Sequence, residues 1–484
     1  MLPFPPALTS RSALASKVMR VLREPSCAAG LVLVLAGCGS TPKNDVPEPV
    51  GPTSQVAGRN VVEPAQPSPA PPPPNEAPAA APSTPTDIEA ALAYDDADPL
   101  GDLEAADALD RMGKAEPLPN TAPPKNGCAV LEPGRRVWQA PGPVAIAALD
   151  RGFAVAGYAR KGEAGEQLFL VSVPAGGLPE PIASLELKPP QTAKRIAPPG
   201  LATRTQNDVV VAFTDGNGAL RARRMRMSLA GHGASIELAK GVDTRFSPAL
   251  TVSQDRTLVA YTMGTTPMRT MLATLAGDGK VEEQRDVTPV SMGASAPAFV
   301  AGAEPPVLLM LDARDGMSPL LRLDLSADGS STEPAQVVLP VSMVASPPEL
   351  AAASSSIGTH VVYTGVGSAA TTAVGLVSIA PIVGTPEALV PGTSYGQLHA
   401  SAAAAPRAVI FVATAPLTPT KDPELELQVS VVGITGRGPA AVIRAAGGAS
   451  HPAIARDAAG HVAVAYSTPS GVFVAFLRCD DGGV

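Results

Sequence analysis

The chain has 484 residues, with 54 prolines, 45 glycines, 3% aromatic and 17% charged residues. Its net charge of −8 is unevenly placed, because residues 39–127 hold five Lys/Arg against fourteen Asp/Glu, whereas residues 128–484 are close to neutral. An acidic segment joined to a nearly neutral body argues against general nucleic-acid binding, which needs a basic surface. The length allows two or three domains, or one domain built from repeats.

The first part of the chain has the pattern of an export signal. Arg20 and Arg23 precede the apolar residues 27–36, a stretch too short to span a bilayer as a helix. Basic residues, a short apolar core and small residues at a cleavage site are typical of exported proteins. Residues 1–18 begin proline-rich and carry few charges, so we expect translation to start at Met19.

The apolar stretch ends in Leu35-Ala36-Gly37-Cys38, which resembles the lipobox of bacterial lipoproteins. The resemblance implies cleavage between Gly37 and Cys38, a diacylglyceryl group on the Cys38 sulfur and a fatty acyl chain on its new amino group. Several acyl chains, each contributing about 0.8 kcal/mol per buried CH₂, give a stable anchor. An ordinary cleaved signal with a coincidental cysteine is the alternative. Gly39 is not Asp, which in the sorting pattern of this family favours the outer membrane.

A proline- and alanine-rich acidic tether is predicted for residues 38–127, after a signal peptide over residues 1–37. The tether holds nineteen prolines and cannot bury enough apolar surface to offset its ordering entropy, so we predict disorder with polyproline character. Apolar residues at three-residue intervals within 87–113 predict a short helix, either solvated or bound to a partner. A calcium-loop-like spacing there lacks the bidentate glutamate.

From residue 140 onward one strand pattern recurs about every fifty residues. Each copy is an apolar run with an anchor position, usually aromatic, near its end. The spacings of 48 to 55 residues are typical of four-stranded propeller blades. The anchor positions are Tyr158, Phe213, Tyr261, Leu311, Tyr363, Ala413 and Tyr466.

The flanks of each copy complete a four-stranded unit. A short strand, which usually begins with proline, precedes each anchor strand. Proline is tolerated there because the first residue of a strand need not donate a hydrogen bond to the neighbouring strand. A third apolar strand follows and leads into a glycine-rich turn, where glycine supplies positive φ. A more polar fourth strand closes the unit, and seven such units can be counted.

The two ends of the body are complementary in strand content. The seventh unit stops after its third strand at Cys479, which would leave an open apolar edge. A matching strand over residues 128–140 lies before the first unit, so joining both ends in one blade closes the ring. Antiparallel pairing then brings Cys128 beside Cys479, and exported proteins meet oxidising conditions in which a disulfide persists. We therefore predict a Cys128–Cys479 disulfide, with two free thiols as the alternative.

The sequence thus predicts an all-β body over residues 128–484, a seven-bladed β-propeller whose N-terminal strand closes the last blade. A β-sandwich or a solenoid is the competing fold. The resemblance to propellers rests on period and strand pattern only. The sialidase Asp-box, the Trp-Asp repeat and the kelch double glycine do not occur, so no family's catalytic residues can be carried over.

Two patterns resemble sites for a metal or a nucleophile. His399, His451 and His461 fall in adjacent units and could bind zinc, but His461 begins a different strand and no carboxylate has matching spacing. Residues 392–396 match G-x-S-x-G, yet a nucleophile elbow needs a strand before it and a helix after it. We predict an inter-blade turn there, and neither a metal site nor a catalytic serine.

Two further patterns are charged. Asp312 and Asp315 could flank a glycosidic bond, but as sequence neighbours they are more typical of a turn. An arginine-rich strand could bind an anionic envelope polymer, although alternation puts its side chains on both faces and favours a solvated strand. The basic residues of this unit are Lys194, Arg195, Arg204, Arg221, Arg223, Arg224 and Arg226.

These observations indicate a non-enzymatic cell-envelope lipoprotein whose propeller binds a protein or an envelope polymer. The alternative is a propeller hydrolase acting on glycans, like a sialidase or glycosidase, and a third reading is a structural ring without a specific ligand. No catalytic residue, metal or cofactor is predicted. The expected partners are the membrane, through the lipid on Cys38, and an envelope protein or polysaccharide, but not nucleic acid. We expect a monomer at the outer membrane.

Overall fold

The computed structural model describes the chain from residue 118 onward. The predicted signal peptide, the lipidation site at Cys38 and the segment 87–113 lie outside the described residues. Within the described residues the chain is all-β and contains no helix. The described ranges are 118–161, 165–187, 197–205, 208–215, 217–227, 233–290, 292–312, 317–342, 349–366, 372–393, 398–417 and 424–480.

After an initial strand, the described strands form seven consecutive units, of which five have four strands, the sixth has five and the seventh has three. The initial strand is β1 (Cys128–Trp138). The first unit contains β2 (Val144–Leu149), β3 (Gly152–Lys161), β4 (Gly165–Val173) and β5 (Glu180–Leu187). The second contains β6 (Gly200–Thr205), β7 (Asp208–Thr214), β8 (Leu220–Arg226) and β9 (Ile236–Ala239). The third contains β10 (Ala249–Ser253), β11 (Arg256–Met263), β12 (Arg269–Leu275) and β13 (Val281–Asp286).

The fourth and fifth units repeat this order, and the sixth and seventh depart from it. The fourth contains β14 (Ser295–Ala301), β15 (Val307–Leu311), β16 (Met317–Asp324) and β17 (Gln336–Ser342). The fifth contains β18 (Leu350–Ser355), β19 (Gly358–Val366), β20 (Thr372–Ala380) and β21 (Glu387–Thr393). The sixth contains β22 (Ala400–Ala405), β23 (Ala408–Pro416), β24 (Leu425–Gly433), β25 (Gly436–Arg437) and β26 (Ala441–Ile443). The seventh contains β27 (Ser450–Arg456), β28 (His461–Thr468) and β29 (Gly471–Cys479).

Each unit is an antiparallel sheet whose strands pair in chain order. The innermost strand of each unit contacts the innermost strand of the next, and β27 contacts β2, so the ring closes. Between the fourth and fifth units the contact becomes a short parallel ladder of β14 with β18, which merges the two into one eight-stranded sheet. This radial arrangement is a β-propeller, as the fifty-residue period predicts.

Burial changes systematically from the inside of a unit to its outside. The second strand is sandwiched between neighbouring sheets, and every residue of β7 is buried. The fourth strand faces solvent, and β13 with the sequence VEEQRD is almost entirely exposed. This difference explains the sequence pattern, because a strand covered on both faces reads as a continuous apolar run.

Apolar clusters lie between neighbouring units and hold the ring together. The cluster between the seventh and first units contains the rings of Phe153, Phe169 and Phe476, each with no exposed surface. Full burial of such a side chain contributes about 1.5–3 kcal/mol. The stability of each unit therefore depends on the units beside it.

The strand β1 completes the seventh unit, as the sequence predicts. It pairs antiparallel with β29 from Cys128 opposite Cys479 to Trp138 opposite Val472. The structure contains the predicted disulfide between Cys128 and Cys479. At the other end of β1, the ring of Trp138 stacks on Phe169 of the first unit, with centroids 4.6 Å apart. The closing strand therefore links the last unit to the first.

The propeller has two faces, which differ in what they carry. The innermost strands begin at the face that carries His399 and His451, which we call the histidine face. Because β29 runs in the same direction as β27, the pair Cys128 and Cys479 lies at the opposite face, which we call the disulfide face. The chain therefore joins the propeller on the disulfide face. In the part of the chain that the structure describes, no helix has the length and apolar character needed to cross a membrane.

Candidate functional site

A cavity of about 530 Å³ lies on the propeller axis. The innermost strands of all seven units and the segments before them form its wall, in which alanine is the most frequent residue. An apolar pocket with a few converging polar groups is the usual form of a ligand site. The charged and imidazole side chains of the described lining are Arg245, Glu349, His399, His451 and Arg456.

Glu349 and His399 form a polar pair at the histidine face. The Nδ1 atom of His399 lies 2.5 Å from Oε1 of Glu349, and His399 is only 5% exposed. The two residues hold equivalent places in successive units, because each precedes an innermost strand. The backbone N–H of Glu349 donates to Oγ1 of Thr364 at 2.9 Å, and that of His399 donates to Oγ1 of Thr414 at 2.8 Å. The repeat therefore fixes the backbone of both residues.

His451 of the seventh unit packs against this pair. Its ring centroid lies 4.1 Å from that of His399, with 33° between the ring planes. His451 sits in a β-bulge of β27 between Ser450 and Ala453, and its φ of 48° is in the left-handed region. Such a backbone is uncommon for residues other than glycine and often marks functional positions. We call Glu349, His399 and His451 the histidine cluster.

The same bulge occurs in the fourth unit with a different side chain. Residues 295–298 read Ser-Ala-Pro-Ala where residues 450–453 read Ser-His-Pro-Ala. Ala296 has a φ of 51°, and the register of β14 shifts at the same place. The bulge therefore accepts alanine, so the backbone conformation does not require the imidazole of His451.

Arg245 contributes a cation to the cavity lining at the histidine face. Its side chain is 52% exposed, and Nη2 lies 2.6 Å from Oδ2 of Asp243. Burial raises the pKa of Asp243, but hydrogen bonds from the Arg245 guanidinium and backbone N–H more than offset this and hold the pKa below its ordinary value. Arg245 also lines a second recess of about 330 Å³ together with Thr265 and Ser295. This arginine therefore borders both spaces.

The three histidines that were weighed against a zinc site do not all come together. His399 and His451 meet at the central cavity, but His461 begins β28 at the disulfide face, where its Nδ1 lies 3.0 Å from Oδ2 of Asp457. No group of three or more His, Cys, Asp or Glu residues within the described ranges could hold a metal ion.

The arginines of β8 form ion pairs within their own unit. Arg221 binds Glu237 at 3.0 Å, and Arg224 and Arg226 both pair with Asp208. These carboxylates offset part of the positive charge of the strand, and the three paired arginines are each 30–44% exposed. Arg204 donates to backbone carbonyls of the third unit, at Asp255 and Gly277. Arg223 donates from Nε to the carbonyl of Gly233 at 2.7 Å. Lys194 and Arg195 lie outside the described residues.

The other two sequence patterns lie only partly within the described residues. Asp312 is buried, and its Oδ1 accepts a hydrogen bond from the Gly293 N–H at 3.2 Å. Asp315 lies outside the described residues. Gly392 and Thr393 are the last two residues of β21, and the rest of the G-x-S-x-G match lies beyond the described range.

Sequence reasoning singled out His399 and His451 only as zinc candidates, which it set aside, and it missed Glu349 and Arg245. The signal for Glu349 was present, because it lies fifty residues before His399, which is one repeat period. Aligning the units on the residue before each innermost strand places the two at one position. Arg245 has no comparable signal.

Comparisons with known proteins identify the fold. No family model matches the chain, and no curated protein matches it in sequence. The BP39L lectin from Burkholderia pseudomallei is similar to 72% of this chain over 98% of its own length, with 14% identity and a TM-score of 0.52.

Two other solved structures are more distant. AofleA from Arthrobotrys oligospora covers 72% of this chain and 92% of its own, with 10% identity and a TM-score of 0.41. An endo-arabinase from Bacteroides thetaiotaomicron covers 62% of this chain and 99% of its own, with 12% identity and a TM-score of 0.33. At such low identity a likeness concerns the fold alone, so function must be inferred from the chain's own residues.

Proposed function

We propose that this protein is a non-enzymatic, lipid-anchored binding protein of the bacterial cell envelope, which holds an envelope polymer or protein at its central cavity. The lipid is the one expected on Cys38. The ligand site is the histidine face of the propeller.

The observation that carries this proposal is the acid content of the cavity. Among the described lining residues Glu349 is the one acid, and it is already hydrogen-bonded to His399. Glycoside hydrolysis commonly needs two carboxyl groups, about 5–9.5 Å apart, on either side of the scissile bond. Sialidases use a tyrosine nucleophile, and the described lining contains no tyrosine. These groups suit binding better than hydrolysis.

The size and wall of the cavity support a ligand. Its volume of about 530 Å³ is within the range of pockets that take small molecules or the end of a polymer. Alanine side chains along the innermost strands leave the axis open while presenting an apolar surface. The BP39L lectin has a similar fold, and a lectin is a binding protein, which agrees with this reading.

The direction of the chain also supports the proposal. Cys128 lies on the disulfide face, so an anchor at Cys38 would be connected to the propeller on that side. The histidine cluster lies on the opposite face. The ligand site and the point where the described chain enters the propeller are therefore on different faces.

Photo-crosslinking in intact cells tests the proposal. A diazirine amino acid in place of Ser247, which lines the cavity, should capture one envelope component identified by mass spectrometry. The matched control is the same amino acid in place of Val281, which is exposed on an outermost strand and should not capture that component. Capture from Val281 with none from Ser247 would contradict the proposed site.

A further inference from the structure

We infer that the histidine cluster, together with Arg245, is a saccharide-binding site at the mouth of the central cavity. The inference rests on the proposed function and specifies its ligand class and contact residues. The fourth unit carries Ala296 at the place of His451, so the propeller closes without an imidazole at that position.

The cluster offers hydrogen-bond acceptors in a fixed geometry. Oε1 of Glu349 is held by Nδ1 of His399, which leaves Oε2 as the second carboxylate oxygen, on a side chain that is 27% exposed. With Nδ1 engaged, Nε2 is the remaining polar atom of the His399 ring. The contact with Glu349 orients this ring, as a carboxylate partner does for histidines in many sites.

Arg245 supplies hydrogen-bond donors at the same face. The side chain is half exposed while its contact with Asp243 limits its freedom. A guanidinium carries five N–H donors and no acceptor, whereas a carboxylate only accepts. The described mouth therefore presents donors from one residue and acceptors from another.

This mixture of groups selects a hydroxyl-rich ligand. A hydroxyl both donates and accepts, so a saccharide with several hydroxyls can pair one with Glu349 and another with Arg245. An anion would meet the Glu349 carboxylate, a cation would meet Arg245, and an apolar molecule would leave the buried polar atoms unsatisfied. The apolar wall below the mouth suits the C–H faces of sugar rings. Its larger members are Leu250, Leu350 and Ile454.

Comparison of the two equivalent bulges shows that the backbone conformation at His451 does not depend on its imidazole. Ala296 adopts the same left-handed conformation in the fourth unit. A His451→Ala variant should therefore keep the bulge and lose only the ring that packs on His399. This makes His451 the most informative residue for testing a binding role.

The test uses the full-length lipidated protein in detergent on an array of bacterial envelope oligosaccharides. The best-bound oligosaccharide is then titrated against the wild type, His451→Ala and Glu349→Gln. Each variant should bind about tenfold more weakly or worse, as expected for loss of a contact within a charge-assisted network. His461→Ala, on the disulfide face, is the matched control and should bind like the wild type. Thermal melting of each variant checks that it folds, and Glu349→Gln keeps the side-chain size.

Each outcome decides a separate point. Weakened binding in both cluster variants, with His461→Ala unchanged, supports the inference. Wild-type affinity in both cluster variants would overturn it while leaving saccharide binding elsewhere on the propeller intact. If no array oligosaccharide binds, the inference is overturned, and the Ser247 crosslink then decides whether the proposed function stands with a protein partner.

Discussion

The hydroxyl of Tyr466 donates a hydrogen bond to the backbone carbonyl of Pro133 at 2.9 Å, across 333 residues of chain. Tyr466 lies at the anchor position of the seventh unit, and Pro133 lies in the closing strand β1. The phenol is buried, which raises the pKa of Tyr466 to about 12, with a smaller contribution from the Glu132 charge. This hydrogen bond links the closing strand to the buried part of the sheet, and it is lost when the Tyr466 hydroxyl ionises.

The first prediction follows from that shift in pKa. The pKa is raised in the folded state above the ordinary value of 10.0, so the contribution of Tyr466 is fully present below about pH 10 and is lost as the pH rises toward 12. The free energy of unfolding should fall across this window. In Tyr466→Phe the free energy of unfolding should fall less steeply with pH. Some pH dependence should remain, because burial also raises the pKa of Tyr261 and of Tyr363.

Urea unfolding at a series of alkaline pH values measures this effect. At neutral pH, Tyr466→Phe should lose about 1 kcal/mol for the missing hydrogen bond. Equal pH slopes for the wild type and the variant would show that Tyr466 is not the group responsible.

The second prediction concerns the disulfide between Cys128 and Cys479. The bond closes a loop with a sequence separation of 351. In the chain-entropy model such a loop contributes up to about 5–6 kcal/mol. Cys479→Ser should therefore unfold at a lower denaturant concentration, while the ladder between β1 and β29 keeps the ring closed in the native state.

The fluorescence of Trp138, the single tryptophan, reports on this prediction because its ring stacks on Phe169. The native emission of Cys479→Ser should match that of the wild type, and only the unfolding midpoint should move. Reductant should lower the midpoint of the wild type and leave that of Cys479→Ser unchanged. An identical midpoint for oxidised wild type and variant would rule out a stabilising bond.

The third prediction concerns a close approach inside the first unit. A Cβ added at Gly157 would lie 2.6 Å from Cζ of Phe169 and 2.9 Å from Cγ1 of Val144. Both neighbours are fully or almost fully buried, so Gly157→Ala should destabilise the protein by about 1–3 kcal/mol. Gly384→Ala is the control, since its nearest atom would be 3.5 Å away, and should change stability by less than about 0.5 kcal/mol. Equal melting of the two variants would contradict this packing.

Much of the fold could be predicted because a propeller repeats its pattern. The anchor aromatics recur about every fifty residues. Counting strands shows that the seventh unit lacks a fourth strand after Cys479, and that one strand before residue 140 belongs to no other unit. Pairing those two strands places Cys128 beside Cys479, which the structure contains. Such reasoning needs only the strand period and the tendency of sheets to avoid open edges.

Other features could not be predicted because they depend on contacts between units. The parallel ladder of β14 with β18 has no sequence signature. In the sixth unit the fourth strand is split into β25 and β26, and Pro439 between them lacks the N–H that would continue a ladder. The cavity mouth could not be predicted because it depends on the bulge at His451. The equivalent bulge in the fourth unit carries only the methyl group of Ala296. Apart from the imidazole itself, nothing in these four-residue sequences distinguishes the two bulges.

The fourth prediction concerns the lipid. In bacterial cells supplied with an alkyne-tagged fatty acid, the protein should be labelled and should remain with the membranes. Cys38→Ser should be neither labelled nor cleaved, because the thiol is the acceptor of the lipid. Cys27→Ser removes the other cysteine of this region and should be labelled like the wild type. Labelling that survives Cys38→Ser would refute the lipobox assignment.

The central claim is that the cavity binds its ligand without cleaving it, and the most direct measurement is a count of reducing ends. The full-length protein is incubated at equimolar amount with purified envelope polysaccharide, and bound polymer and reducing ends are followed together. We predict that polymer is retained while the number of reducing ends stays constant. A steady increase in reducing ends that disappears in Glu349→Gln would contradict the account and make the protein a hydrolase.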